Sequence, residues 1–152
     1  MLKITPVDGY RAMSRFIQVP WPIYATDPHW APPLRLERRL HFSRHNPYFE
    51  HAQWQAWVAY RGKRAVGRIS AQIDQLRLDR YDDQTGGFGM LEAEDDVEVF
   101  AALFETAETW LRSKGMRTIQ GPFNLSINDE CGLLVEGFNL PPSIMMGHAR
   151  PY

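Results

Sequence analysis

Trp57-Val58-Ala59-Tyr60-Arg61-Gly62-Lys63-Arg64-Ala65-Val66-Gly67-Arg68-Ile69 decides the fold. Apolar and polar residues alternate from Trp54 to Tyr60 and again from Ala65 to Asp74, around a turn at Arg61-Gly62-Lys63. In the second run Ile69, Ala71 and Ile73 share one face, and Arg68, Ser70, Gln72 and Asp74 share the other. A period of two belongs to a strand. The spacing predicts a β-hairpin with one face packed on a core.

Upstream, Leu2 to Pro6 reads as a short strand, and Asp8 is a candidate N-cap for a helix through about Val19. Met13, Phe16 and Ile17 form the apolar side of that helix. The stretch from Pro20-Trp21-Pro22 to Ala31-Pro32-Pro33 reads as an ordered loop pinned by Trp21 and Trp30, because proline interrupts helix. A basic helix with Arg35, Arg38 and Arg39 follows, from Leu34 to about Phe42.

Downstream, polar Leu76 to Gly87 reads as a loop and Phe88 to Ala93 as a strand. Asp95 or Asp96 then caps a long helix whose Phe100, Leu103, Phe104, Ala107, Trp110 and Leu111 recur every three or four residues. Lys114-Gly115 ends it, with a cation in the last turn and glycine just beyond. Arg117 to Gly121 is a strand, and Asn128 to Val135 is expected as a short helix. Ile144-Met145-Met146 is a last apolar segment. The order β, α, α, β, β, β, α, β, α, β predicts an α/β (α+β) domain with a mostly antiparallel sheet and one strand–helix–strand crossover.

The composition agrees with one folded domain. The 152 residues are 44% hydrophobic and 12% aromatic, enough for a core and against disorder. No run approaches the ~18 apolar residues of a membrane span, and the first residues lack a signal peptide's apolar stretch. One cysteine, Cys131, excludes an intrachain disulfide framework. These features point to a soluble cytoplasmic protein. The formal net charge of −1 conceals an imbalance: residues 1–76 carry eleven Lys/Arg against five Asp/Glu, and residues 77–152 carry six against thirteen. The basic half is expected to pair with acidic surface, within the chain or on a neighbouring domain.

The hairpin 57–69, the helix Leu103-Phe104-Glu105-Thr106-Ala107-Glu108-Thr109-Trp110-Leu111-Arg112-Ser113-Lys114-Gly115 and the segment Asn128-Asp129-Glu130-Cys131-Gly132-Leu133-Leu134-Val135-Glu136-Gly137-Phe138 occur in an order that resembles the GNAT superfamily of acyl-CoA-dependent N-acetyltransferases. Coverage is roughly residues 1–146. More narrowly, Asp27-Pro28-His29-Trp30-Ala31-Pro32-Pro33-Leu34 and Gly121-Pro122-Phe123-Asn124-Leu125-Ser126-Ile127-Asn128-Asp129-Glu130-Cys131-Gly132-Leu133-Leu134 look like a bacterial subgroup of GNAT-like proteins with two such lobes. The resemblance implies a GNAT-like mixed sheet flanked by helices and lacking its C-terminal strands. It makes residues 1–152 one GNAT-like domain, the N-terminal lobe of a longer two-lobed protein. It implies acetyl-CoA or another acyl-CoA as donor and a small-molecule or protein amine as acceptor. A second GNAT-like lobe or a homo-oligomer partner would complete it; no membrane partner is expected, and the acidic second half disfavours nucleic acid.

In the superfamily a glycine-rich loop opens the long helix and holds the CoA pyrophosphate on bare backbone N–H groups. Here Asp95 falls where a basic residue belongs, and Asp96, Glu98 and Phe100 fall at the other loop positions. At ~8 Å and an effective dielectric of ~20, each carboxylate–phosphate pair costs about 2 kcal/mol. Acidic residues in a first helical turn equally serve the helix macrodipole. The lobe is therefore expected not to hold CoA in the family's usual way. Two alternatives stay open: an acyl-CoA-dependent N-acetyltransferase, or a degenerate lobe that binds or scaffolds without chemistry.

The resemblance places a catalytic carboxylate at Glu92, either in a semi-buried pocket with a raised pKa or, as the competing and favoured reading, a strand-end charge reaching solvent. The polar stretch after the 117–121 strand lies where α/β sheets place ligands. Asn124 and Ser126 are candidate catalytic hydrogen-bonders there and Asn128 a cofactor-binding one, with turn formation as the competing role. Cys131 is read as a buried cysteine, and His41 and His45, four apart with His51 close by, as a solvated pair rather than a metal site. Tyr10, Tyr24, Tyr60 and Tyr152 are equivalent candidates for a general acid. Arg35, Arg38, Arg39 and Arg44 form a candidate anion surface.

Overall fold

Strands β2 (Ala52–Arg61) and β3 (Arg64–Asp74) form the hairpin in the computed structural model, which describes residues 1–151. Arg61 pairs with Arg64, so the turn needs only Gly62 and Lys63, and Gly62 supplies the left-handed backbone at φ 62°. β1 (Leu2–Pro6) pairs antiparallel with β2, and β4 (Thr85–Ala93) antiparallel with β3. β5 (Thr118–Gln120) pairs parallel with β4, giving a five-stranded mixed sheet in the order β1-β2-β3-β4-β5. Beyond Gln120 the described residues form only isolated bridges, Phe123 with Cys131 and Cys131 with Met146.

The crossover between the parallel strands is α5 (Val97–Ser113). Asp96 caps it, its carboxylate accepting the Glu98 N–H at 3.0 Å. Val99, Leu103, Ala107 and Leu111 are buried against the sheet, the valine and the two leucines each worth up to about 2–3 kcal/mol by apolar area. Gly67 on β3 lets the helix approach: a Cβ there would lie 3.0 Å from Val99 Cγ1 and 2.9 Å from Ala93 Cβ. Ala59, Val66, Ile69, Ala71 and Ile73 complete this apolar cluster.

The opposite face of the sheet is also covered, by α1 (Gly9–Gln18), α2 (Pro20–Ile23), α3 (Arg35–His41) and a 3-10 turn at Pro47–Glu50. Phe16, Ile17, Val19, Tyr24, Phe42, Tyr48 and Leu125 form a second core there. This corrects the one-sided hairpin: Arg68, Ser70 and Gln72 are buried too, because β3 is central and sandwiched.

Three local expectations also change. α2 continues directly from α1 across Val19, with Pro20 at its first position, where a missing N–H costs nothing. Residues expected as a loop contain α4 (Gln75–Tyr81), held by Asp74 accepting the Leu76 and Arg77 N–H groups rather than by an apolar stripe. No helix forms at 128–135, because that segment bonds laterally: Asn124 N–H to the Glu130 carbonyl, 2.8 Å, and Gly132 N–H to the Pro122 carbonyl, 3.0 Å. The apolar segment Ile144-Met145-Met146 is exposed.

Candidate functional site

β4 and β5 stay paired only from Thr85 to Gly87 and then diverge, opening a cleft at their C-terminal ends. The divergence begins at a bulge: Ser70 pairs with Gly89 and Arg68 with Glu92, so β4 carries one residue more than β3 between them. Met90 adopts φ 50° there, and its N–H leaves the ladder for Asn124 Oδ1 at 2.8 Å. Gly89 permits the close pass, since a Cβ on it would overlap the Phe123 carbonyl.

The cleft holds a cavity of about 440 Å³. Leu91, Phe100, Phe104 and Leu134 supply apolar wall, and Glu92, Asp95, Asn124, Glu130, His148 and Arg150 supply the polar groups. A second cavity of about 390 Å³ lies toward α3, lined by Arg38, Arg68, Glu37 and prolines 32 and 33. Both touch Glu92, Asn124, Glu130 and His148, so one polar wall separates an apolar chamber from a charged one.

Ion pairs and hydrogen bonds tie that wall together, with His148 Nδ1 and Arg38 Nε left without partners among the described residues. Arg68 donates to Glu92 through Nε at 2.6 Å and to the Phe16 carbonyl at 2.9 Å. Arg38 reaches Glu130 Oε1 at 2.5 Å, and Asn124 Nδ2 donates to Glu130 Oε2 at 2.8 Å. Burial works to raise the Glu130 pKa, but the Arg38 charge, the Asn124 bond and His41 outweigh it and hold the carboxyl below its ordinary value. The His148 Nε2 meets Asp27 Oδ2 at 2.7 Å.

The structure brings two of the four sequence candidates together. Glu92 and Asn124 both line the cleft, Glu92 as the partner of Arg68 and Asn124 as the clamp between bulge and Glu130. Ser126 and Asn128 face a separate cavity of about 500 Å³ beside α4. The Ser126 hydroxyl donates to Asp129 at 2.9 Å and accepts the Asn128 N–H at 3.1 Å, which is turn chemistry. Cys131 lines the first cavity as a free thiol. Of the tyrosines, Tyr24 lines that cavity, Tyr10 is exposed, Tyr60 is half-buried, and Tyr152 lies outside the described residues.

The acidic rim of α5 differs from its appearance in the sequence. Arg61 bridges Asp96 at 2.6 Å and Glu98 at 2.5 Å, and Arg64 pairs with Glu94. The bond from Arg61 lowers the Asp96 pKa, with the Glu98 N–H adding to it. Glu98 N–H bonds to the Asp96 carboxylate, and Val99 and Phe100 N–H to the Asp96 carbonyl. Three of the first-turn donors that would cradle a pyrophosphate thus already have partners, and the carboxylates of Asp96 and Glu98 stand beside them, so that group does not fit here in the usual way. Arg35, Arg38 and Arg39 are dispersed, onto the Trp21 ring, onto Glu130 and onto the Tyr10 ring. Among the described residues no three His, Cys, Asp or Glu side chains form a metal-binding group, and no helix is long and apolar enough to cross a membrane.

Sequence reasoning missed Arg68, Asp27 and His148. Arg68 carried a usable signal, a cation inside the strand next to Ile69; Asp27 and His148 meet across 121 positions and carried none.

No protein-family model matches the chain. It is 53% identical over 140 residues to Protein YghO of Escherichia coli K12, spanning 92% of this chain and 36% of that protein. It is 49% identical over 153 residues to a protein of Caulobacter vibrioides named Bacterial ceramide synthase, spanning 99% of this chain and 40% of that protein. The chain thus spans well under half the length of these curated relatives. A tandem GNAT protein from the clavulanic acid biosynthesis pathway superposes with TM-score 0.57 at 19% identity, over 77% of this chain and 34% of that one. The aminoglycoside acetyltransferase HMB0005 from a soil metagenomic sample superposes with TM-score 0.51 at 16% identity, over 94% of this chain and 99% of that one. The fold is GNAT-like.

Proposed function

We propose that this GNAT-like chain is one lobe of an N-acyltransferase that joins the acyl group of a thioester to a long-chain amine. The observation that carries the reading is the cleft between β4 and β5, whose apolar chamber of about 440 Å³ opens on a wall of Glu92, Asn124, Glu130 and His148. Its volume lies within the range of roughly 300–1,000 Å³ typical of small-molecule sites. Ceramides are N-acylated long-chain amino alcohols, so the likeness to a protein named Bacterial ceramide synthase supports a lipid amine over a hydrophilic one. Acyl-CoA is the donor to test, although the closed first turn of α5 gives its pyrophosphate no cradle. The thioester and its chain, rather than the nucleotide, are what this lobe recognises. A second lobe in the same polypeptide fits the fraction of its relatives that the chain spans.

The wall residues divide the work. Arg68 holds Glu92 at the cleft, and Asn124 keeps the bulge open by taking the Met90 N–H. Amide formation needs the amine deprotonated, its nitrogen within reach of the thioester carbonyl, and the thiol released.

Incubating the purified whole protein with fatty acyl-CoA and either a long-chain amino alcohol or a short hydrophilic amine tests this by mass spectrometry. The expected result is at least ten-fold more amide from the long-chain acceptor. Saturable binding of both substrates without any amide would instead establish the binding-lobe alternative, which the occupied first-turn donors of α5 favour.

A further inference from the structure

We infer that His148 is the general base of this site, with Asp27 as its positioning residue; the inference rests on the N-acyl transfer proposed above. The His148 ring is almost wholly buried, with 3% of its side chain exposed, and lies on the wall shared by the apolar and the charged cavity. Its Nε2 is 2.7 Å from Asp27 Oδ2, while Asp27 Oδ1 accepts the His29 N–H at 2.9 Å. An ionised carboxylate only accepts, so in the neutral ring Nε2 carries the proton and Nδ1 is the acceptor. Nδ1 is buried and has no hydrogen-bond partner among the described residues. A buried acceptor without a donor is unfavourable, and a bound amine N–H would satisfy it.

The pair is held from outside itself. The His148 carbonyl accepts from Tyr24 Oη at 3.3 Å, and Tyr24 stacks on Trp30 at 5.1 Å. Arg150 ties the same segment to the Ile23 carbonyl at 3.0 Å. The backbone N–H of His29 and the His148 ring keep the Asp27 carboxyl below its ordinary pKa even though burial works to raise it. A carboxylate that stays ionised fixes the tautomer and the orientation of the ring. The other charged or titratable groups lining the two cavities are Tyr24 at the end of α2, Glu37 and Arg38 on α3, Arg68 on β3, Glu92 on β4, Asp95 before α5, Glu130 and Cys131 in the 122–134 segment and Arg150 on its own segment.

In the step, His148 Nδ1 takes a proton from the ammonium group and the freed nitrogen attacks the thioester carbonyl carbon. The C–N bond forms and the carbonyl electrons move to oxygen. When they return, the C–S bond breaks, the amide nitrogen gives up its second proton, and the thiolate leaves as a thiol. The first proton returns from His148 to water.

The test compares native protein with H148Q and D27N on the whole polypeptide, using palmitoyl-CoA and a long-chain amino alcohol. H148Q is expected to lose about 100-fold or more in kcat, the usual size of a base contribution, with KM for the thioester changed less than three-fold. The deficit should shrink toward pH ~10, where an amine of Lys-like pKa loses its proton unaided. D27N should lose about ten-fold in kcat and move the acid limb of the pH profile. Imidazole ¹⁵N NMR on the native protein, with amine alone, covers a variant that does not fold: bound amine should move the His148 Nδ1 resonance. Unchanged H148Q turnover, or amine binding that leaves that resonance in place, overturns the base while acyl transfer stands. No amide from native protein overturns both.

Discussion

The two faces of β3 are equally buried and chemically opposite. On one, Ile69, Ala71 and Ile73 meet α5 in an apolar cluster. On the other, Arg68, Ser70 and Gln72 lie under α1 and the 122–126 segment. Arg68 is matched by Glu92 and the Phe16 carbonyl, and Gln72 Nε2 donates to the carbonyls of Phe123 and Leu125 at 2.9 and 3.1 Å. The apolar face anchors the crossover helix without regard to direction. The polar face specifies where an irregular segment runs, because each bond demands one carbonyl in one place. A cleft walled by loop residues needs the second kind of contact.

The largest effect should come from breaking the buried ion pair. R68M is expected to destabilise the fold by about 3–5 kcal/mol in urea unfolding, since Glu92 would be left without its partner. Replacing both residues with methionine should recover most of that loss while removing the charged wall of the cleft. A loss under 1 kcal/mol for R68M would mean that water, not Arg68, satisfies Glu92.

L103A attacks the apolar face and should cost about 3 kcal/mol through the cavity it leaves, with little change at the cleft. Q72A should cost about 1–2 kcal/mol by orphaning the Phe123 carbonyl, while the Leu125 carbonyl keeps the Tyr48 hydroxyl at 3.0 Å. Its local signature is faster amide exchange in the 123–125 segment than in α5, and equal acceleration in both would erase the distinction between the faces.

The smallest effect is a pH slope. His41 is held below its ordinary 6.5 by burial, with Arg38 reinforcing this against Asp129, and Glu130 is held below 4.5 as described. In each case the unfolded chain takes up its proton first as pH falls. Both contributions are present above the unfolded values and are lost on acidification, His41 below pH ~6.5 and Glu130 below ~4.5. Unfolding midpoints at successive pH values should therefore decline in two stages, and E130Q should make the lower one shallower, with Asp27, Asp83 and Asp96 still contributing to it.

What could be read in advance follows the range of each signal. The hairpin and α5 were legible because alternation and the three–four spacing repeat over many residues. α4 was not, because the Asp74 cap rather than a stripe stabilises it. Asn124 was found through the polar cluster after β5, yet the same cluster also suggested Ser126 and Asn128, which turn to the far side. Glu92 was placed at the cleft, but nothing local announced Arg68 as its partner.

The sequence by itself determined the hairpin, the long helix with its strand–helix–strand crossover and the uneven distribution of charge, since these depend on neighbours a few residues apart. Only the tertiary structure decided how that charge is used. Arg38, Arg61, Arg64 and Arg68 of the basic half meet Glu130, Asp96, Glu94 and Glu92 of the acidic half, and Asp27 meets His148. Ion pairs act over a few ångströms and carry no periodicity, so their partners exist only once the sheet has brought distant segments together.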